Sequence, residues 1–264
     1  MRADLLAEPI AGLDEALGAV DAFDRTLVGG LLRPQPGQAV GLAELADAVA
    51  GTPLASRVAE AAEKSAAGAA GEDHLVVLAA ARTALLGSVH DALMARVDEA
   101  TGRTRSSGTT PAPGEPQATN LLAARSWLCD LARAGWQGID HGLVSGAVQV
   151  VSAMLPDLAL RRLAALLDGF AAELAASCPG ASLERIPVRR WADLWSRAMV
   201  LTQPGAAEVP AAGAVSGRLL PLGVDLHQHP TAAQAQVHAV FEPADGSAHR
   251  LVRASASVDR KSVV

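Results

Sequence analysis

Tyrosine is absent from the 264 residues, phenylalanine occurs three times and tryptophan four, so aromatic side chains make up only 3% of the chain. A core built from such a sequence has few bulky anchors, and the places where they fall mark the dense packing. Cysteine occurs twice, at Cys129 and Cys178, with no CxxC spacing; both read as buried thiols of a reducing compartment, not as a disulfide or metal ligands. Lysine is confined to Lys64 and Lys261 beside 20 arginines. No GxxxxGK[ST] or GxGxxG order occurs at Gly29-Gly30 or between Gly135 and Gly146, and Ser145-Gly146 is outside a GxSxG elbow, so neither a phosphate loop nor a serine nucleophile is signalled. The most apolar run, Gly142 to Leu155, is too short for a membrane span and ends at Pro156. MRADLLAEPIAG carries Asp4 and Glu8 where a signal peptide is apolar. These absences predict a cytoplasmic protein with no membrane association and no cofactor.

The chain does have alanine, 57 residues of it, within a composition that is 50% hydrophobic with a mean hydropathy of +0.23. This alanine and arginine bias resembles the pattern that GC-rich codon usage produces. Alanine has the highest helix propensity and the least side-chain volume, so helices form readily and pack closely. The net charge of −6 is unevenly spread: residues 1–100 carry 7 basic and 15 acidic side chains, residues 101–264 carry 15 and 13. An acidic first region lacks the clustered cations that contact nucleic-acid phosphates.

Periodicity predicts a mainly α protein ending in a small antiparallel β-meander. In 10–32, Leu13, Leu17, Val20, Asp24, Leu27 and Leu31 lie near one helical stripe; 42–50 and 54–67 read as short helices around Gly51-Thr52-Pro53. The clearest helix runs from about Asp73 to Ala100, with Leu75, Leu78, Ala79, Arg82, Leu86, Val89, Leu93 and Val97 on one face expected in the core. Residues 101–119, TGRTRSSGTTPAPGEPQAT, lose all period and read as a flexible linker. Helices follow at 118–134 (Leu121, Leu122, Trp127, Leu131), 139–155, 157–177 and after Pro187. A second Ala/Pro/Gly stretch, 204–214, precedes strands in GRLLPLGVDL, AQVHAVFE and HRLVRASASVD, the last two joined by an Asp245-Gly246 turn. The expected organisation is therefore an acidic helical region 1–100, a linker 101–119, a second helical region 120–203, a linker 204–214 and a β region 215–264.

Several constellations invite a chemical reading. His74 and His90-Asp91 sit 16 residues apart on one expected helix, about 160° around its axis, so they diverge and do not form a metal-dependent phosphohydrolase site. His227 and His229 share one strand face at a spacing that metal sites use, with His238 or Asp225 as the third ligand; this is the basis of an alternative reading as a metal-dependent hydrolase. Residues 42–65 have the outline of a helix-turn-helix, the basis of a DNA-binding alternative, but Arg57 and Lys64 are balanced by Glu60 and Glu63. Arg189, Arg190, Trp191, Trp195 and Arg197 lie on one helix, with both indoles on one face: either a core stripe with an arginine flank, or a docking surface rich in interface residue types.

Taken together, DEALGAVDAF, LADAVAGTPLASRVAEAAEK, DHLVVLAAARTALLGSVHDALMARVDEA, RRWADLWSRAMVL and SGRLLPLGVDLHQH resemble an actinobacterial protein family that accompanies SWIM zinc-finger proteins, MoxR-type ATPases and von Willebrand A-domain proteins. The SWIM Cys-x-Cys…Cys-x-His ligands are missing, so the resemblance implies a companion protein: a non-catalytic adaptor with a MoxR-type ATPase or a von Willebrand A-domain protein as partner, and no catalytic residue to transfer. It also implies continuation beyond DRKSVV, leaving the C-terminal sheet incomplete. Residues 250–258 are accordingly expected to form an edge strand open to pairing.

Overall fold

The computed structural model describes residues 8–104, 119–157, 159–178, 185–206, 215–228 and 232–259. It divides into two compact units, residues 1–207 and 208–264. The first contains helices α1 (Leu13–Gly29), α2 (Pro36–Ala48), α3 (Ala55–Ala66), α4 (Glu72–Thr101), α5 (Thr119–Ala134), α6 (His141–Met154), α7 (Arg161–Ser177) and α8 (Val188–Leu201). The second is an antiparallel sheet of β1 (Gly217–Gln228), β2 (Ala232–Pro243) and β3 (Arg250–Asp259), in that order. The fold is thus mainly α with a small C-terminal meander, as the periodicity predicts.

Two helix starts differ from expectation. RPQPGQ, which reads as a break, contains the start of α2, because Pro36 occupies the first helical position, where its missing N–H and fixed φ cost nothing. The Gln38 carboxamide oxygen accepts the Gln35 N–H and closes that end. Conversely, α7 begins at Arg161 and not at Asp157, which instead caps a preceding turn through a hydrogen bond from the Ala159 N–H at 2.9 Å.

The helices on either side of 101–119 share one hydrophobic core: Phe23, Leu27, Leu42, Leu45, Leu75 and Leu78 belong to the same cluster as Trp127, Trp136, Phe170, Trp191 and Trp195. Residues 105–118 of the expected linker, and 207–214 of the second one, lie outside the described residues. The scarce aromatics are concentrated here. Trp136 meets Phe170 and Trp191 edge-on at centroid distances of 6.4 and 6.2 Å, and Phe23 meets Trp195 at 6.3 Å. Five large rings in one alanine-rich cluster supply volume that the alanines cannot. Cys129 and Cys178 are buried free thiols.

One predicted core face stops short. Leu93 on α4 is 47% exposed, so α4 contributes to the core only as far as about Leu85 before running past it. By length and composition α4 could cross a membrane, where the charge and turn pattern predicts no span. Its first half nevertheless packs inside the helical core and carries a buried arginine, Arg82.

The same order of elements occurs before residue 101 and after residue 119. Gly30 follows α1 and Gly135 follows α5, both with positive φ (83° and 72°), and each opens a six-residue connection, 30–35 or 135–140, into the next helix. These two ends cap each other. The Leu31 N–H donates to Ala132 O at 2.9 Å and Leu32 to Arg133 O at 3.3 Å, while Trp136 donates to Leu27 O and Gln137 to Val28 O, both at 3.3 Å. Carbonyls left open in the last turn of one helix therefore find their donors just beyond the end of the other. The approach is close enough that a Cβ on Gly135 would lie 2.2 Å from Gly30 N. Gly135→Ala is expected to lower unfolding stability by about 2–3 kcal/mol, since it combines left-handed backbone with a backbone clash. Gly87→Ala, in mid-helix with open space at its Cβ, is expected to raise it by about 0.5–1 kcal/mol. Urea midpoints at constant m-value measure both.

Candidate functional site

Helix α8 carries the arginine and tryptophan side chains singled out in the sequence. Its apolar stripe turns inward: Trp191 is 1% exposed and Trp195 fully buried, with the Trp195 indole N–H donating to Leu128 O at 2.9 Å. Both indoles are therefore core, and neither is offered to a partner. The arginines sit around them, each matched to a carboxylate of the same chain. Arg189 pairs with Asp21 and places its Nε 3.4 Å from Asp24 Oδ2. Arg190 grips Glu173 of α7 through both nitrogens, Nε at 2.8 Å, and this carboxylate holds the guanidinium pKa above its usual value. Arg197 reaches Asp193 one turn earlier at 3.2 Å. Arg189 and Arg190 thus close the seam between α8 and its neighbours, while Arg197 pairs within α8.

Beneath them lies the one fully enclosed guanidinium among the described side chains. Arg82 of α4 is 0% exposed and makes a two-point contact with Asp24 of α1, Nε to Oδ1 at 2.6 Å and the second nitrogen to Oδ2 at 2.9 Å. Its remaining nitrogen donates to Ser196 Oγ at 2.9 Å and lies 3.6 Å from Asp193, both on α8. Ser196 in turn donates to Ala192 O. Burial pushes the Asp24 carboxyl up from its ordinary pKa, while the Arg82 hydrogen bond, Arg82 charge and Arg189 charge pull it back. The cluster is a charge-assisted lock joining α1, α4 and α8. Arg82 and Asp24 both fall on predicted apolar stripes, and a charged residue inside such a stripe is the signal that a buried partner exists. Which residue it pairs with, 58 positions away, is not in the pattern.

A second partly buried arginine, Arg125 of α5, donates to Thr202 O at 3.3 Å beyond α8 and lies 3.6 Å from Asp73 of α4. Cys129 sits deep beside it, and burial pushes its thiol up to about 12, so it stays protonated and unreactive near neutral pH.

The remaining candidates separate. His74 accepts the Gly71 N–H at 2.9 Å at the start of α4, whereas exposed His90 lies against its neighbour Asp91. His229 and the side chain of His227 lie outside the described residues. His238 and Asp225, considered as further ligands, meet each other across β1 and β2 at 3.0 Å. Among the described residues no group of three His, Cys, Asp or Glu side chains could hold a metal. In the helix-turn-helix outline, α2 and α3 form a hairpin whose Arg57 and Lys64 are exposed alongside Glu60 and Glu63. Between α1 and α2 an open groove of about 580 Å³ has a floor of Gly12, Ala16, Gly18 and Ala19 and an acidic rim of Glu15, Glu44 and Asp47. Comparison with protein-family profiles, curated proteins and solved structures finds no match.

Because the Arg82 lock is desolvated, removing one partner strands the other. Asp24→Ala is expected to cost about 3–5 kcal/mol of stability, whereas Asp24→Leu combined with Arg82→Met restores most of it. Arg189→Ala, at a partly exposed pair, should cost less than about 1 kcal/mol. Thermal and urea unfolding of the single and double variants measures the coupling.

Proposed function

We propose that the chain is a non-catalytic interaction protein, an adaptor within an ATPase-centred complex. The observation that supports this reading is the amphipathic sheet of the second unit. The β1–β2 register shifts between Pro221 and Gly223, leaving Leu222 as the extra residue of a bulge. That shift puts Leu219 and Pro221 before it, and Val224 and Leu226 after it, on the same face. Val237, Ala239 and Phe241 of β2, and Val252 and Ala254 of β3, line up beside them. The other face is polar: Asp225 pairs with His238 and Arg218 faces Glu242 at 3.7 Å, around a short Leu220–Val240–Leu251 row. Leu219, Val224 and Leu226 are 48%, 56% and 72% exposed. Exposed apolar side chains along β1 support reading this strand as a contact surface for protein.

In the helical unit, the polar groups that could have formed a reactive cluster are engaged in structural pairs, as at Arg82, Asp24 and Arg190. The resemblance described above supplies the class of partner, a MoxR-type ATPase or a von Willebrand A-domain protein. Tagged full-length protein isolated from its native cell under mild conditions is expected to bring down one of these in near-stoichiometric amount. Recovery of the chain without either partner, across low and moderate salt, would reject the adaptor reading.

A further inference from the structure

The helical unit contains its own comparison. Counted from Gly30 and Gly135, whose crossed bonds are reciprocal, α1–α3 and α5–α7 repeat one arrangement without a change of spacing. Gln35 and Asp140 stand at the N-caps of α2 and α6, and Leu42 matches Ala147, Val49 matches Met154, Val58 matches Leu163 and Ser65 matches Phe170, all buried. The acidic groove between α1 and α2 therefore has a counterpart at the same positions of α5 and α6.

That counterpart is neutral and bridged. Leu121, in the place of Ala16, is buried, and Asn120, in the place of Glu15, donates through Nδ2 to Ala153 O at 3.1 Å. Gln149 and Ser152 stand where the first groove has Glu44 and Asp47. In the first groove Ala16 leaves the floor low, and an ionised Glu15 has no hydrogen to give Ala48 O. Three neutral polar positions of one repeat are thus carboxylates in the other, and they ring the groove that stays open.

The helix that carries two of these charges gains nothing from them. Glu15 answers the start of α1, but Asp47 lies in the last turn of α2, which has no basic residue, and Glu44 lies just before it, so both add negative charge where the helix already exposes carbonyls. None of the three carboxylates has a cation partner among the described residues; Arg25, which lines the adjoining depression with Glu44, makes no ion pair with it.

We propose that this groove binds a short basic segment of a partner protein, with an arginine or lysine set among Glu15, Glu44 and Asp47 and a small apolar side chain on the floor of Gly12, Ala16, Gly18 and Ala19. From Gly12 to Ala19 the floor runs about 10 Å along α1, the length of about three extended residues. This rests on the adaptor reading only in taking the ligand to be protein, and it uses the helical unit, not β1.

The test titrates the purified full-length chain into short dye-labelled peptides that set arginine or lysine between alanine, valine or leucine, read by fluorescence anisotropy. Glu15→Asn, Glu44→Gln and Asp47→Ser together, the residues of the bridged counterpart, are expected to weaken the best peptide about ten-fold or more. Glu63→Gln, Asp91→Asn and Glu99→Gln, which remove as much charge from exposed positions elsewhere on the helices, should change it less than about two-fold. Gly18→Leu, with open space at its Cβ, should fill the floor and weaken binding with the charge intact and the helical circular dichroism unchanged. Should the triple variant unfold, Gly18→Leu decides.

No peptide binding, equal loss from both sets of charge removals, or binding indifferent to Gly18→Leu overturns the proposal. So does spermine binding as tightly as the best peptide, which would make the ligand a small polycation. A chain that binds no basic peptide yet captures the ATPase or the von Willebrand A-domain protein leaves the adaptor reading standing, and one that binds through the groove but captures neither does the reverse.

Discussion

An arginine taken fully out of water must have its charge and its donors answered in place, and the helical unit is arranged so that Arg82 is answered. Asp24 takes two of its nitrogens and Ser196 a third, with Asp193 within 3.6 Å. Because those partners come from α1 and α8 while Arg82 is on α4, the desolvation of one side chain fixes the relative positions of three helices. Arg189 then covers the seam from outside, touching both Asp21 and Asp24. A buried ion pair is weak evidence of net stability but strong evidence of a required geometry, since misplacement of any of the three leaves charge uncompensated.

The aromatic cluster and the crossed helix ends serve the same arrangement by other means. An alanine-rich chain has little volume per residue, so Trp136, Phe170, Trp191, Trp195 and Phe23 fill the centre, and the rest of the core closes around them. Gly30 and Gly135 let two helix ends approach until each supplies the other's missing donors. That exchange bonds the region before residue 101 directly to the region after 119.

Function, on the reading proposed here, is divided between units. The helices use their charged side chains on one another, and the sheet exposes Leu219, Val224 and Leu226 along β1. An arginine-rich, lysine-poor surface suits the former role, because a guanidinium can hold a carboxylate at two points, as Arg190 holds Glu173.

Much of the fold is written in local pattern. The 3.6-residue stripes of α1, α4, α7 and α8, the stop at Pro204-Gly205, the change to strand alternation after residue 215 and the Asp245-Gly246 turn depend on residues near one another in the chain, and they are legible for that reason. The inward position of Trp191 and Trp195 was one of two readings that the stripe allowed. The stripe says which residues share a face but not whether that face meets the core or solvent, and for the same reason Leu93 was expected inside. Tertiary structure alone decided the rest. The pairing of Arg82 with Asp24 joins residues 58 positions apart, and the mutual capping at Gly30 and Gly135 and the union of both helical regions in one core likewise join residues distant in the chain. The bulge at Leu222 belongs with them, because a one-residue slip of register is invisible in the alternation of a single strand, yet it determines that Val224 and Leu226, and not Gly223 and Asp225, stand on the apolar face.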